Sequence, residues 1–523
     1  MTTTSLAQWT AWRRDGYTTL PLLRRIPLED NGDRLRTWIG AWEAASAHAI
    51  VLESGKDGRY TYLGLRPSAV IRGHGCRAEI AAADGTTAAI YGKPLEVVRE
   101  RLTSRKGPRV EGGPKWTGGL AGFWSYDIVR SIERLPELAA DDLGLPDYLF
   151  LEFDELWIID HEERVLYCSV HTAIDASRDI ADDSWLEATY EQAVRNSEEM
   201  AALWERIASA AALPEEAARE AYRQGLLASD SMHIDVEAMA GLHSPFPKDD
   251  YMNAVARIRE YIGQGDVFQV NLSLRQSKCS DADPDELYEW LRLVNPSPYM
   301  GYLRCHDFSL VSASPELLVE LQAGRLSTRP IAGTRRRGRT PEEDARMAEE
   351  LRSNEKERAE HIMLVDLERN DLGRISAYGT VRVHDFMVIE YYSHVMHLVS
   401  QVEGELAPGK DAFDVIAATF PGGTITGAPK IRTMEIIEEL EPTRRGPYTG
   451  SLGWIDYDGD MEFNIIIRTM TVKDGQVHIQ AGAGIVIDSE PEREYYESLN
   501  KAKALWKAVQ YGEGGAYHDS GDR

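Results

Sequence analysis

Two stretches of this chain carry acidic residues at helical spacing. In EKERAEH, Glu357 and Glu360 are three residues apart; in EREYYESLNKAKAL, Glu494, Glu497 and Lys501 follow at intervals of three and four. Those intervals put side chains on one face of a helix. Two helices presenting carboxylates to each other would suit Mg2+, which takes one or two carboxylates and keeps waters for a ligand. Exposed salt bridging produces the same pattern, and spacing alone leaves both open. Zinc chemistry of the HExxH kind is excluded, because His361 has no histidine four residues away.

FPGGTITGAPKIRTMEIIEEL, residues 420–440, is a glycine-rich loop entering a helix, with Pro429 near the first turn. It lacks the Gly-Lys-Ser/Thr ending of a phosphate loop, which makes nucleotide binding a poor match. Free N–H groups at a helix start beside Thr424 would suit a carboxylate, while a plain strand-to-helix turn needs the same glycines. QAGAGIVI, residues 480–487, sets Gly-x-Gly inside an apolar strand with no helix following. That argues against a dinucleotide fold and for a bulge, or for a ligand close to the backbone. Arg468 ends the apolar run FNIIIR and is either paired internally or a bidentate clamp for a carboxylate.

These groups need a scaffold. The chain has 523 residues, 43% hydrophobic and 27% charged, enough apolar material for a globular core. Its 58 basic and 85 acidic residues give a formal net charge of −27, which disfavours nucleic acid or an anionic membrane as partner. No secretory-type apolar core opens the sequence, and no run approaches the ~18 apolar residues of a membrane span. Cys76, Cys168, Cys279 and Cys305 show no CxxC spacing, so a reduced, cytoplasmic setting is expected. Residues 1–175 alternate like short strands, and 176–245 hold a helical excursion and a polar linker. Helices and strands intermix over 246–510, and 511–523 is expected to be a disordered tail. EEDARMAEELRSNEKERAEHIMLVDLERND has one long helical pattern; FNIIIRTMTV and VHIQAGAGIVI are expected strands.

Taken together, PIAGT, AEHIMLVDLERNDLGR, SHVMHLVS, FPGGTITGAPK, PYTGSLGW…FNIIIRT and QAGAGIV…EYYESLNKA stand in the order found in chorismate-binding enzymes. The chain resembles that family from Leu52 to about residue 508. The resemblance implies an α/β (α+β) fold: a large sandwich of two apposed antiparallel sheets flanked by helices. It implies a dicarboxylate site in which Glu360 and Glu497 ligate Mg2+, with Glu357 and Glu494 supporting through water and Lys501 beside the metal. Arg468 and Tyr448 match the clamp on the enolpyruvyl carboxylate of chorismate. Gly333, Thr334 and Thr424, with the backbone of Gly482, Ala483 and Gly484, match the pocket lining. Glu316, in SASPE, matches the general acid for the departing 4-hydroxyl; hydroxide is a poor leaving group, and such protonation is worth roughly 10²–10⁴-fold. His397 matches an active-site histidine. Gln269 stands where water-adding members carry a lysine base. Glutamine cannot take a proton at neutral pH, so the implied nucleophile is ammonia and isochorismate formation is rejected. Cys76 in GHGCRAE is the nearest imitation of a glutaminase nucleophile and lacks the elbow sequence. Ammonia is therefore expected from a separate glutamine amidotransferase subunit.

Ala332 bears on the product. Many members of the aminodeoxychorismate branch carry lysine there, whose amine adds at C2 and directs ammonia to C4; the anthranilate branch carries alanine. DVFQVNLSLRQS, FPGGTITGAPK, YTGSLGW and FNIIIRT resemble the aminodeoxychorismate branch, especially its Bacillus-type members, which share PIAGT. Several long stretches outweigh one position, so amination to 4-amino-4-deoxychorismate is expected, with anthranilate as the alternative. LES (52–54) and NPSPYM (295–300) match the family's inhibitory tryptophan pocket through Ser54, Pro298, Tyr299 and Met300. A silent tryptophan-binding subunit is thus a third reading, against which the full set of acids, Arg468 and Glu316 argue. Arg335, Arg336 and Arg337 directly precede the acidic TPEEDARMAEEL; charge pairing with it is the plain explanation, and a role beside the substrate or at the glutaminase interface is the alternative.

Overall fold

Alternation along the strands decides which faces are buried. In Gly119–Trp124, Ala121 and Phe123 join a core cluster with Leu149, Leu310 and Trp454, while Leu120 and Trp124 point into a second cluster on the opposite face. Such strands are apolar on both sides because both faces are covered. The computed structural model describes residues 2–28, 35, 37–55, 58–175, 184–230, 233–391 and 395–515. Its strands form two large antiparallel sheets, of 11 and 12 strands. The cluster around Phe123 draws side chains from both sheets, so they are apposed as the sequence resemblance implied.

Both ends of the chain contribute to each sheet. Ala49–Glu53 pairs with Tyr299–Arg304 in the first, and Gly119–Trp124 pairs with Ser451–Asp456 in the second. The regions 1–175 and 246–510 therefore share their sheets and their core. The helical excursion appears as Ser184–Ala211 and Pro214–Ser229. The last helix runs to Gly515, so the first part of the expected tail is helical; 516–523 lie outside the described residues.

The strands that build the site are β1 (Gln269–Cys279), β2 (Leu317–Gln322), β3 (Ile331–Arg336), β4 (Val395–Glu405), β5 (Met461–Asn464), β6 (Thr469–Lys473) and β7 (Gln476–Ile485). The helices are α1 (Pro341–Ser353), α2 (Glu355–Gly373), α3 (Lys430–Leu440) and α4 (Pro491–Gly515). Two of these depart from the sequence expectation. FNIIIRTMTV is not one strand: β5 pairs with β2 in the second sheet, β6 pairs with Phe308–Ser314 in the first, and residues 465–468 cross between them. The long helical pattern is broken at Asn354, whose extended backbone ends α1 and whose Oδ1 accepts from Glu357 N at 3.0 Å to start α2. An asparagine that caps offers the backbone a partner the continuous helix would withhold.

Asn354→Ala removes that cap. Stability should fall by about 1 kcal/mol, read as a lower urea midpoint at unchanged slope.

Candidate active site

A cavity of about 820 Å3 opens where α2 and α4 meet β1, β3 and β7. Gln269 and Asn271 reach it from β1, Glu357 and Glu360 from α2, and Glu494, Glu497 and Lys501 from α4. Glu316, Gly333, Thr334, Thr424, Tyr448, Arg468, Gly482 and Gly484 line it as well. Residues separated by more than two hundred positions in sequence thus share one wall.

Backbone geometry explains several of these placements. Arg468 sits in the sheet-to-sheet crossing with φ of 53°, and Thr449, next to Tyr448, has φ of 61°. A non-glycine residue in the left-handed region costs on the order of 1–3 kcal/mol and persists only where its surroundings enforce it. Here Ala313 N donates to Arg468 O at 3.1 Å and Thr449 N to Ile466 O at 2.8 Å. The guanidinium of Arg468 donates to the Lys501 carbonyl, tying the crossing to α4. Gly333, with φ of 64°, is the extra residue of a β-bulge between Ala332 and Thr334; a Cβ there would lie 2.8 Å from Glu357 Oε2. On β7, a Cβ at Gly484 would strike the Gln269 amide and one at Gly482 would lie 2.8 Å from Asn271 Oδ1. A Cβ at Gly482 would also lie 2.6 Å from the Leu272 carbonyl, so the glycines of QAGAG answer the close approach of both backbone and polar side chains of β1.

The electrostatics are those of acids facing one another. Glu360 is held above the usual carboxylate range by burial and by repulsion from Glu357, and its Oε1 accepts from Gln269 Nε2 at 3.2 Å. Burial and Glu497 likewise raise Glu494. Glu497 pairs with Lys501 at 2.9 Å, and Lys501 also donates to Gly482 O at 2.8 Å. Burial pushes Glu316 up to about 7, with Thr424 and Lys501 opposing. Arg468 is lowered by burial, against the attraction of Tyr448 and Glu497. Gln269 Oε1 and Asn271 Oδ1 are buried with no hydrogen-bond partner and belong to cavity-lining residues. Unpaired buried acceptors are rare in folded proteins unless a ligand or cation is to meet them. No three His, Cys, Asp or Glu side chains among the described residues stand close enough to hold a metal by themselves. Two raised carboxylates beside the unpartnered amide oxygens of Gln269 and Asn271 are hard oxygen donors of the kind Mg2+ takes, and it needs few protein ligands.

Three expectations change. His397 is not among the cavity-lining residues; its Nδ1 lies 3.0 Å from Thr334 Oγ1 and 3.2 Å from Gly333 O, both of residues that line it. The side chain of Ala483 is fully buried in the core, while Ala481, Gly482 and Gly484 line the cavity. The start of α3 is not on the cavity wall; Lys430 there pairs with Asp371 at 2.5 Å, and the preceding turn presents Thr424 instead. Sequence reasoning missed Asn271, Lys356 and Asn500, which line the cavity. Asn271 was findable, two residues beyond Gln269 on the same strand face. It also missed Arg445, buried behind the wall, which binds Glu441 at 2.7 Å and the carbonyls of Asn271 and Ile425 at 2.7 and 2.9 Å.

A second cavity, of about 810 Å3, is lined by Ser54, Pro298, Tyr299 and Met300 with Tyr62 and Trp454. The pairing of Met300 with Glu53 brings LES and NPSPYM side by side.

The family model of chorismate binding enzymes matches residues 48–507. Aminodeoxychorismate synthase component 1 of Bacillus subtilis is 47% identical over 474 residues, covering 89% of this chain and 92% of the relative. Anthranilate synthase component 1 of Thermus thermophilus is 48% identical over 406 residues, covering 77% and 79%. Among solved structures, anthranilate synthase component I from Streptococcus pneumoniae superposes with a TM-score of 0.68 at 33% identity, covering 86% of this chain and 92% of that one.

Gly333→Ala combines a forced left-handed alanine with a clash at Leu351 and Glu357, whereas Gly75, with φ of 55°, has nothing within 4 Å. Gly75→Ala should cost about 1 kcal/mol. Gly333→Ala should cost clearly more, up to about 3 kcal/mol, when both are measured by denaturant unfolding.

Proposed function

The chain belongs to the chorismate-binding enzyme family, and from that premise we propose that it aminates chorismate to 4-amino-4-deoxychorismate. In this reading Mg2+ is bound by the cavity carboxylates, ammonia comes from a separate glutamine amidotransferase subunit, and the protein works in the cytoplasm. The observation that carries an amination is Gln269. It occupies the cavity wall, donates to Glu360 at 3.2 Å and has no basic atom with which to deprotonate water. Ammonia needs no base to become a nucleophile. The 47% identity to the B. subtilis aminodeoxychorismate synthase component, over nearly the full length of both chains, supports the C4 product.

Each wall residue has a task in that reaction. Arg468 and Tyr448 take the enolpyruvyl carboxylate, while the acids of α2 and α4 line the same cavity. Held by Glu360 and Glu497, Mg2+ would neutralise the ring carboxylate and fix its orientation. Ammonia donates its lone pair to C4, and the C4–O bond breaks as Glu316 passes its proton to the oxygen, so that water leaves and the ring double bonds stay where they are. Glu316 is suited to this by burial, which holds its proton to near neutrality. The ring-bound ammonium afterwards loses a proton to solvent.

Ala332 favours a second reading. It lines the cavity, pairs with Leu398 and offers no amine to the ring. That matches the anthranilate branch, and the 48% identity to the Thermus anthranilate synthase component is consistent with it. The second cavity has the volume and aromatic lining for tryptophan, whether as a regulator or as a structural ligand.

Glu316 works as an acid, so its protonated form is the active one. At a fixed concentration of free ammonia, kcat/KM for chorismate should be flat below about 7 and fall as pH rises through that value. Glu316→Gln should remove that limb and lower turnover by roughly 10²–10⁴-fold. The isolated chain should work with ammonium salts and not with glutamine. Its product should yield an aromatic amine only after addition of a lyase that removes pyruvate from aminodeoxychorismate. Release of anthranilate and pyruvate without that lyase would establish the second reading instead.

A further inference from the structure

The arginines of RPIAGTRRRG do not all do the same thing. Arg336 pairs with Glu343 at 2.7 Å and Arg337 with Asp344 at 2.6 Å, both on α1, and Gly338 N donates to Asp344 at 2.7 Å. These contacts pin the strand end to one helix, as charge pairing predicts. Arg335 differs. Its Nε donates to Glu350 of α1 at 3.2 Å, but its Nη1 reaches α2 and donates to Glu357 Oε1 at 3.0 Å, and to its own neighbour's carbonyl at Thr334 at 3.0 Å. The guanidinium is thus fixed by two helices and a strand. Glu357 is fixed in turn: Asn354 caps its N–H at 3.0 Å, and only the absent side chain of Gly333 lets its carboxylate come this close.

We propose that Arg335 is a positioning residue that holds the Glu357 carboxylate away from the cation of the cavity, so that the arginine run sets the site's Mg2+ affinity from outside it. This rests on the reading of the cavity as a Mg2+ site. Glu357 lies one helical turn from Glu360 and repels it. While Arg335 compensates that charge, Glu360 is left to meet the cation with its partner across the cavity. Without Arg335, the Glu357 carboxylate stands on the wall uncompensated. The attraction for a divalent cation then rises, and Glu357 is free to bind it directly.

Mg2+ titrated by calorimetry into the full-length, chelator-stripped protein tests this. Arg335→Gln should tighten Mg2+ binding about three- to tenfold, and Arg335→Lys should return it to the wild-type value. Glu350→Gln, which leaves the Arg335–Glu357 contact in place, should not move it. The double variant R335Q/E357Q should fall back toward wild type. Should R335Q fail to fold, E357Q decides: it should weaken Mg2+ binding less than E360Q does. Unchanged or weaker binding by a folded R335Q overturns the proposal, as does an E357Q that loses as much as E360Q. Absence of any saturable Mg2+ binding by the wild type is a different result, which removes the metal reading and this inference with it.

Discussion

Like charges gathered around one cavity set the terms for the rest of this structure. Glu357 and Glu360 on α2 face the same space as Glu494 and Glu497 on α4, and both Glu360 and Glu494 are raised by burial and by their neighbours. Two helices do not adopt such an arrangement for stability, since buried like charges oppose it. The restraints around the acids answer that cost: Lys501 on Glu497, Gln269 on Glu360, Arg335 on Glu357. Lys501 restrains Glu497 within α4, whereas Gln269 of β1 and Arg335 of β3 reach α2 from outside. The charge balance of the α2 acids therefore holds only when β1, β3 and α2 are docked together.

The cationic part of the cavity depends on a crossing. The chain leaves the second sheet after Asn464 and enters the first at Thr469, and Arg468 is the last residue before the new strand. Its backbone is left-handed, and its guanidinium bonds the Lys501 carbonyl of α4 on the cavity wall. The cation that would receive a carboxylate and the acids that would receive a metal are thus both products of interrupted regular structure: the crossing at 465–468, the bulge at Gly333 and the cap at Asn354.

One ion pair and a short run of chain link the two large cavities. Glu390, on the strand Arg382–Tyr391, lines the second cavity and pairs with Arg329, from which the chain passes within a few residues to Ala332 and Gly333 on the first. Strand Arg382–Tyr391 and β3 flank β4 on opposite sides. The PIAGT strand consequently has the second cavity at one end and the acids of the first at the other.

Much of this was legible in the residues. Spacing put Glu357 with Glu360, and Glu494 with Glu497 and Lys501; motif order put Arg468, Tyr448 and Glu316 with them, and all line one cavity. Local pattern succeeds there because helix period and strand alternation report which side chains share a face. The pattern did not show that FNIIIRT changes sheets, that α1 and α2 part at Asn354, or that His397 and Ala483 are not among the residues lining the cavity. Apolar runs look alike whether a strand continues or crosses, because the choice is made by pairing with β2 on one side and Phe308–Ser314 on the other, more than a hundred residues distant. The sequence by itself determined the chemistry available to this protein. Long-range pairing decided which of those groups meet, since only the assembled sheets hold a left-handed arginine and a ring of carboxylates in positions that neither would occupy alone.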